Sequence, residues 1–308
     1  IRRLEPNWNG EYLSHNVPDE SLPAEGAGPL LSSFAGAAIR INADEVFQTM
    51  GQPGGAQLSH ARSLLAFIPD ELLNAAHETF SARAIVYLLL LDQDAEIRQH
   101  QLNLLEHAAD AAVLQRLHEM LPLFSAVKPV MRLPLLEIAM PALRQMTRVQ
   151  YEACKANIYG LVIADQKMSL SEWALQKFVI KHLGEAFDGA HRRPRYKGYA
   201  AVRGQCAQLL SVLAYTDVTS TADPQVAFAV GRELLGLDIE LVDKSSLSLS
   251  NLNDSVDTLA ELRPLLKPKL LKACIATITA DGVATPVEVE LVRTVADSLD
   301  CPMPPIVA

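Results

Sequence analysis

Two stretches of this chain spell the same helix-loop-helix, and that repeat limits the folds open to it more than any other feature. One copy runs from Ile163 through Ala164-Asp165 and Ser169 to Glu172; the other runs from Thr279 through Ala280-Asp281 and Thr285 to Glu288. In both, Ala-Asp closes an apolar helix, a Ser or Thr stands four residues after the Asp, and a Glu follows three residues later. The Ser/Thr-x-x-Glu step is a capping box: the hydroxyl accepts one orphan N–H of the new helix and the Glu reaches back to another. Pro286 at the first helical position strengthens the second copy, and Gly282 supplies the backbone freedom that the turn after Asp281 needs. Each copy therefore specifies two helices joined as a hairpin, and the pair suggests an approximate internal two-fold.

The rest of the chain supports a helical reading. Hydrophobic residues make up 49% and charged residues 20%, while aromatics reach only 6%. Ala and Leu, both strong helix formers, dominate. Apolar spacing turns helical from Leu58 onward. It predicts a helix start at Pro69-Asp70-Glu71, then helices over 82–91, 95–106, 111–121 and 133–146. Further helices are predicted over 151–164, over 171–183 with Gly184 as its stop, and over 200–215. Asp223-Pro224 reads as an N-cap and first-turn Pro for a helix to Leu235. A Ser/Leu/Asn loop over 244–253 precedes helices over 255–262, 265–280 and 286–299. No convincing run of strand alternation occurs, so the expected class is all-α.

The first 55 residues carry Pro18, Pro23, Gly26, Gly28 and Pro29, then the cluster Gly51 to Gly55, which are loop and linker signals around one short apolar patch over 30–41. A net charge of -9 argues against a general nucleic-acid binder, which needs clustered Lys and Arg. Cys154, Cys206, Cys274 and Cys301 include no Cys-x-x-Cys pair, and three of them lie in apolar helical runs as small hydrophobes. The longest apolar run, Ala84 to Leu91, is far short of the ~20 residues that cross a bilayer. The chain opens Ile1-Arg2-Arg3, without a methionine, which leads us to expect a piece of something longer.

The doubled hairpin, with its Ala-Asp-Gly turn, Ser or Thr cap and acidic helix start, resembles the TerB-like fold of tellurite-resistance proteins. That fold packs two such hairpins into one helical domain, and residues 151–308 match the plan. The opening Ile1-Arg2-Arg3-Leu4, with Pro6, Trp8 and Gly10 after it, is similar to the tail of HtpX-like bacterial membrane zinc metallopeptidases. Some members of that family continue into a long helical region with wording close to Ser171-Glu172-Trp173-Ala174-Leu175-Gln176. The close from Ala296 through Cys301 to Pro305 also looks like that region. The resemblance implies a C-terminal region on the cytoplasmic side of the bacterial inner membrane, soluble in itself, with zinc held in a peptidase domain outside this sequence. That family's zinc motif is His-Glu-x-x-His, where two His at i and i+4 bind the metal and the Glu activates water. Here His77-Glu78 is followed by Ser81 at the second ligand position and His118-Glu119 by Pro122, so no catalytic role carries over.

Three clusters carry site-forming side chains, and none takes a catalytic, cofactor or metal role. Asp165, Glu172, Asp281 and Glu288 could ligate a divalent cation, but each loop holds only two acids and the Glu already caps. His100, His107 and His118 could hold zinc, but the i, i+4 pair is missing and Gln99, Gln101 and Glu106 suggest a solvated face. The basic run from His191 through Arg192, Arg193, Arg195, Tyr196, Lys197 and Tyr199 to Arg203 could meet nucleic acid, anionic lipid or a catalytic domain, or could be merely solvated or docked on an acidic neighbouring face. No Gly-rich phosphate loop, Gly-x-Ser-x-Gly elbow or Cys-His arrangement is present. The expected organisation is a linker over 1–55, a helical subdomain over 56–150 and a TerB-like domain over 151–308. The expected role is a non-catalytic accessory domain of a zinc metalloendopeptidase, partnered by that peptidase domain and by protein substrates or partners. An anionic membrane surface is a further expected partner, and nucleic acid is not. The rival readings are a stand-alone TerB-like stress-response module and a divalent-cation-binding module.

Overall fold

A computed structural model describes residues 39–40, 62–63, 65–164, 168–189, 192–216, 223–301 and 303. Twelve α-helices lie between Asp70 and Ser298. They are α1 (Asp70–Ala75), α2 (Thr79–Leu90), α3 (Ala95–Ala108), α4 (Ala111–Met120), α5 (Pro129–Leu143), α6 (Arg148–Val162), α7 (Leu170–Phe187), α8 (Arg203–Thr216), α9 (Pro224–Leu235), α10 (Leu249–Ala260), α11 (Lys267–Ile278) and α12 (Pro286–Ser298). Among the described residues the strands are β1 (Ile39–Arg40) and β2 (Val283–Ala284), two residues each, so the chain is all-α. Apart from β1, the expected 1–55 linker lies outside the described residues.

The chain separates into two compact units, one built on Arg62–His191 and one on Arg192–Ala308. The expected boundary at 150/151 therefore does not coincide with the observed one, and the two capped hairpins fall in different units. The physical reason is that α6 is tied to the helices before it. Asn157 Nδ2 donates to Tyr87 Oη at 2.9 Å, and Gln101 Nε2 donates to the Leu161 carbonyl at 3.1 Å.

In the first unit α2 is the central helix and packs against α4, α5, α6 and α7. Ten of its residues, Ser81–Leu90, are buried, the all-round burial expected of a core helix. Gln101, expected on a solvated face, is instead 2% exposed. Its amide also donates to the Leu90 carbonyl at 3.2 Å, and its oxygen accepts the Asp92 N–H at 2.8 Å. One side chain thus satisfies backbone groups at the ends of α2 and α6, which would otherwise be buried without partners. α5 runs through both Pro134 and Pro141, as a kinked or packed helix can. Gly184 does not stop α7, which continues to Phe187. The Phe187 ring stacks on Tyr151 with centroids 4.6 Å apart, which holds the last turn, and Gly189 takes the left-handed conformation instead with φ of 61°.

In the second unit α8 contacts α9, α10, α11 and α12, and α9 lies along α11. Gly231 on α9 makes that approach possible: a Cβ there would meet Thr277 Oγ1 at 2.2 Å and the Ala273 carbonyl at 3.1 Å. The expected loop over 244–253 is shorter than predicted. A 3-10 turn at Lys244–Ser246 gives way to α10 at Leu249, capped by Ser248, whose hydroxyl accepts the Asn251 N–H at 3.0 Å. Leu249, Leu252, Val256 and Leu259 recur at helical spacing on its buried face. The short antiparallel ladder pairs Ile39 with Ala284 and Arg40 with Val283. Two residues per strand are too few to show alternation in sequence.

Candidate interaction surface

Both capping boxes form as the sequence specified. Ser169 Oγ accepts the Glu172 N–H at 3.2 Å while Glu172 Oε2 accepts the Ser169 N–H at 2.7 Å. Thr285 Oγ1 accepts the Glu288 N–H at 3.3 Å, and Glu288 Oε2 accepts both the Thr285 N–H at 2.7 Å and its hydroxyl at 2.8 Å. Asp281 Oδ1 takes the Val283 N–H at 3.0 Å, and Gly282 follows with φ of 86°. The acids of the second loop are thus engaged in shaping its backbone. Asp165 lies outside the described residues. A third box, Thr147 with Gln150, opens α6 and was missed, although Thr-x-x-Gln was the available signal.

The other candidates are scattered. His100 and His107 on α3 and His118 on α4 are exposed. His77 sits in the turn between α1 and α2, so His77, Glu78 and Ser81 do not form the continuous helix that a zinc motif uses. Glu78 instead accepts from Ser81 Oγ at 3.0 Å and pairs with Arg116 at 3.3 Å. Arg116 also pairs with Glu119 at 2.7 Å. These side chains, with Glu71 and Leu123, border an open cleft of about 490 Å³. Cys154, Cys206 and Cys274 are buried. Burial pushes the Cys154 thiol up to about 11 and that of Cys206 to about 12, the opposite of what a thiolate nucleophile needs.

The basic run is the candidate that the fold organises. Arg192 pairs with Asp257 near the end of α10, and its guanidinium also reaches the Asp257 carbonyl. The N–H groups of Arg195 and Tyr196 donate to the Glu261 carbonyl at 2.7 and 3.1 Å, and the Arg263 N–H returns to the Tyr196 carbonyl at 3.1 Å. Tyr196 and Leu262 thereby form an isolated parallel bridge. Docking of Arg192 on the acidic end of α10 agrees with one of the expected readings, and Asp257 there also accepts from Asn253 Nδ2 at 3.3 Å. Arg193, Arg195, Lys197 and Arg203 stay exposed.

Across the bridge, 263–266 forms a turn closed by the Leu266 N–H on the Arg263 carbonyl at 2.9 Å. Pro264 occupies its second position, where a fixed φ suits such a turn. Leu265, expected as the first residue of a helix over 265–280, is therefore the tip of that turn and 92% exposed, while α11 starts at Lys267. Tyr199 is buried and its hydroxyl donates to the Leu266 carbonyl, which braces the turn from beneath. Burial raises the Tyr199 phenol far above its ordinary range.

Among the described residues no group of three or more His, Cys, Asp or Glu could hold a metal, and no helix is long and apolar enough to cross a membrane. Set against protein-family models, curated proteins and solved structures, the chain matches none of them.

Proposed function

We propose that this chain is a non-catalytic interaction domain serving a membrane-bound zinc metalloendopeptidase of the HtpX-like kind, each of its two capped hairpins resembling a hairpin of the TerB-like proteins. The observation that carries the interaction role is the paired loop of the second unit. There the backbone of 195–196 is pinned to 261–263, so that exposed cations and Leu265 are held in a fixed frame. A fixed frame lowers the ordering cost of binding. The tie to a metallopeptidase rests on the resemblance at Ile1-Arg2-Arg3-Leu4, at 171–176 and near Cys301. The domain would dock substrates or partners, or restrain access to the peptidase.

The cation-binding alternative is weaker, because Asp281 Oδ1 and Glu288 Oε2 already accept backbone N–H groups. Hard cations want six or more free oxygens. Calorimetry with calcium or magnesium separates the two. Stoichiometric micromolar binding, lost in Asp281→Ala, would favour the cation module.

The main reading is tested by adding the purified chain to an HtpX-like peptidase and following cleavage of an unstructured protein substrate. A changed rate is expected, with no cleavage by the chain alone in the presence of zinc. An unchanged rate together with no association would refute the proposal, as would zinc-dependent cleavage by the chain itself.

A further inference from the structure

The bridge between 192–199 and 261–266 assembles a surface that neither segment presents alone. Arg195 and Lys197 flank the half-buried Tyr196 in an extended segment, and both are exposed. Arg263 follows Leu262, the bridge partner of Tyr196, and the exposed Leu265 stands two residues later. Among the described residues Arg193, Arg195, Lys197 and Arg263 make no ion pair. Asp257 is already paired with Arg192, which leaves Glu261 as the remaining acid of the two segments. In a chain of net charge -9 this is a local excess of positive charge around an aliphatic tip.

We infer that this loop pair docks on an anionic lipid surface, with Arg195, Lys197 and Arg263 on headgroup phosphates and Leu265 entering the acyl boundary. The inference rests on the reading of the chain as an interaction module and names its partner. Aliphatic insertion beside basic side chains is the chemistry of an interfacial anchor. Single-stranded nucleic acid asks for something else, an exposed aromatic face on which bases stack. The aromatics here do not offer one: Tyr199 is buried with its hydroxyl engaged, and the Arg195 guanidinium lies 5.5 Å from the centre of the Tyr196 ring. The turn is also rigid enough to insert, because Pro264 fixes its φ and Tyr199 supports it.

The test is co-sedimentation of the full 308-residue chain with vesicles of phosphatidylcholine alone or with added phosphatidylglycerol. No peptidase is present, so failure here leaves the metallopeptidase reading untouched, and the reverse also holds. Binding is expected only with phosphatidylglycerol and is expected to weaken with salt. Each of Arg195→Ala, Lys197→Ala and Arg263→Ala should weaken it about fivefold, and the three together about a hundredfold. Leu265→Ser should weaken it about tenfold or more while leaving its salt dependence in place. All four positions are exposed, so circular dichroism should show unchanged folding. The inference is overturned by absence of binding to anionic vesicles, or by binding that all four substitutions leave unaltered. Tighter binding to single-stranded RNA than to vesicles, lost in the same variants, would overturn it in favour of nucleic acid.

Discussion

Replacing Gly231 by alanine probes the closest helix approach of the second unit. A Cβ at 231 would lie 2.2 Å from Thr277 Oγ1, with the Ala273 carbonyl at 3.1 Å and Leu210 Cδ2 at 3.2 Å closing the other sides. Carbon needs over an ångström more than the first distance allows. Thr277 cannot simply rotate away, because its hydroxyl donates to the Ala273 carbonyl at 2.9 Å, a bond worth about 1 kcal/mol. The alternative is for α9 to move off α11, and overpacking of this kind costs about 1–3 kcal/mol. Alanine returns about 1 kcal/mol of helix propensity. Gly231→Ala should therefore destabilise the second unit by a net of up to about 2 kcal/mol. Gly160 on α6 is the control, since a Cβ there meets nothing within 4 Å. Gly160→Ala should stabilise the first unit by up to about 1 kcal/mol. Urea unfolding followed by circular dichroism gives the stabilities, and amide exchange across α9 and α11 assigns the loss to the second unit. Thr277→Ala should absorb part of the damage, with a double-mutant coupling of about 1 kcal/mol. Equal or greater stability for Gly231→Ala, or strict additivity with Thr277→Ala, would refute the reasoning.

Thr285→Ala removes the acceptor for the Glu288 N–H and should cost about 1 kcal/mol in the same unfolding assay. An unchanged midpoint would show that the cap contributes nothing. Asp188 accepts from the Tyr151 hydroxyl at 2.6 Å and meets Lys155 at 3.3 Å and Arg148 at 2.8 Å. The Tyr151 hydrogen bond comes first among the causes that hold its carboxyl below the ordinary aspartate value of 3.8, with the Lys155 and Arg148 charges adding to it. A lowered folded value adds stability above 3.8 that fades as pH falls through the folded value. Melting temperature should thus fall on acidification in that window, and Asp188→Asn should flatten the slope; an identical slope contradicts it. Among the cysteines, Cys301 is half-buried while the other three are buried. An aromatic disulfide reagent should label Cys301 first in the native protein, with Cys154, Cys206 and Cys274 reacting only as the chain unfolds. Equal native rates would contradict the burial argument.

Much of this protein was legible in the sequence because it depends on neighbours a few residues apart. Ser169 with Glu172, Thr285 with Glu288 and Asp223 with Gln225 fix helix starts by hydrogen bonds within one turn, and Pro224 presets the φ of the first helical residue. The signals that misled were local ones overridden from a distance. Gly184 read as a stop, yet Phe187 stacking on Tyr151 carries α7 onward. The polar letters around Ser248 read as a loop, yet burial of Leu252, Val256 and Leu259 makes α10. Gln101 read as solvated, yet it holds carbonyls from two helices.

The candidate surface was half legible. The sequence announced the basic run from Arg192 to Arg203, and a Pro inside Arg263 to Leu266 was an available turn signal. Nothing local joined the two segments, which lie some sixty residues apart and meet through the Glu261, Tyr196 and Leu266 carbonyls. By itself, then, the sequence determined the helical class, the cap residues and the chemistry of each segment, because periodicity and capping act within a few residues. The tertiary structure alone decided that α2 and α8 are central, that α6 and α7 belong with the helices before them, and that Leu265 stands exposed beside Arg195, Lys197 and Arg263. Those outcomes depend on which distant side chains share space and which buried polar groups find partners, and neither is encoded in any single stretch of chain.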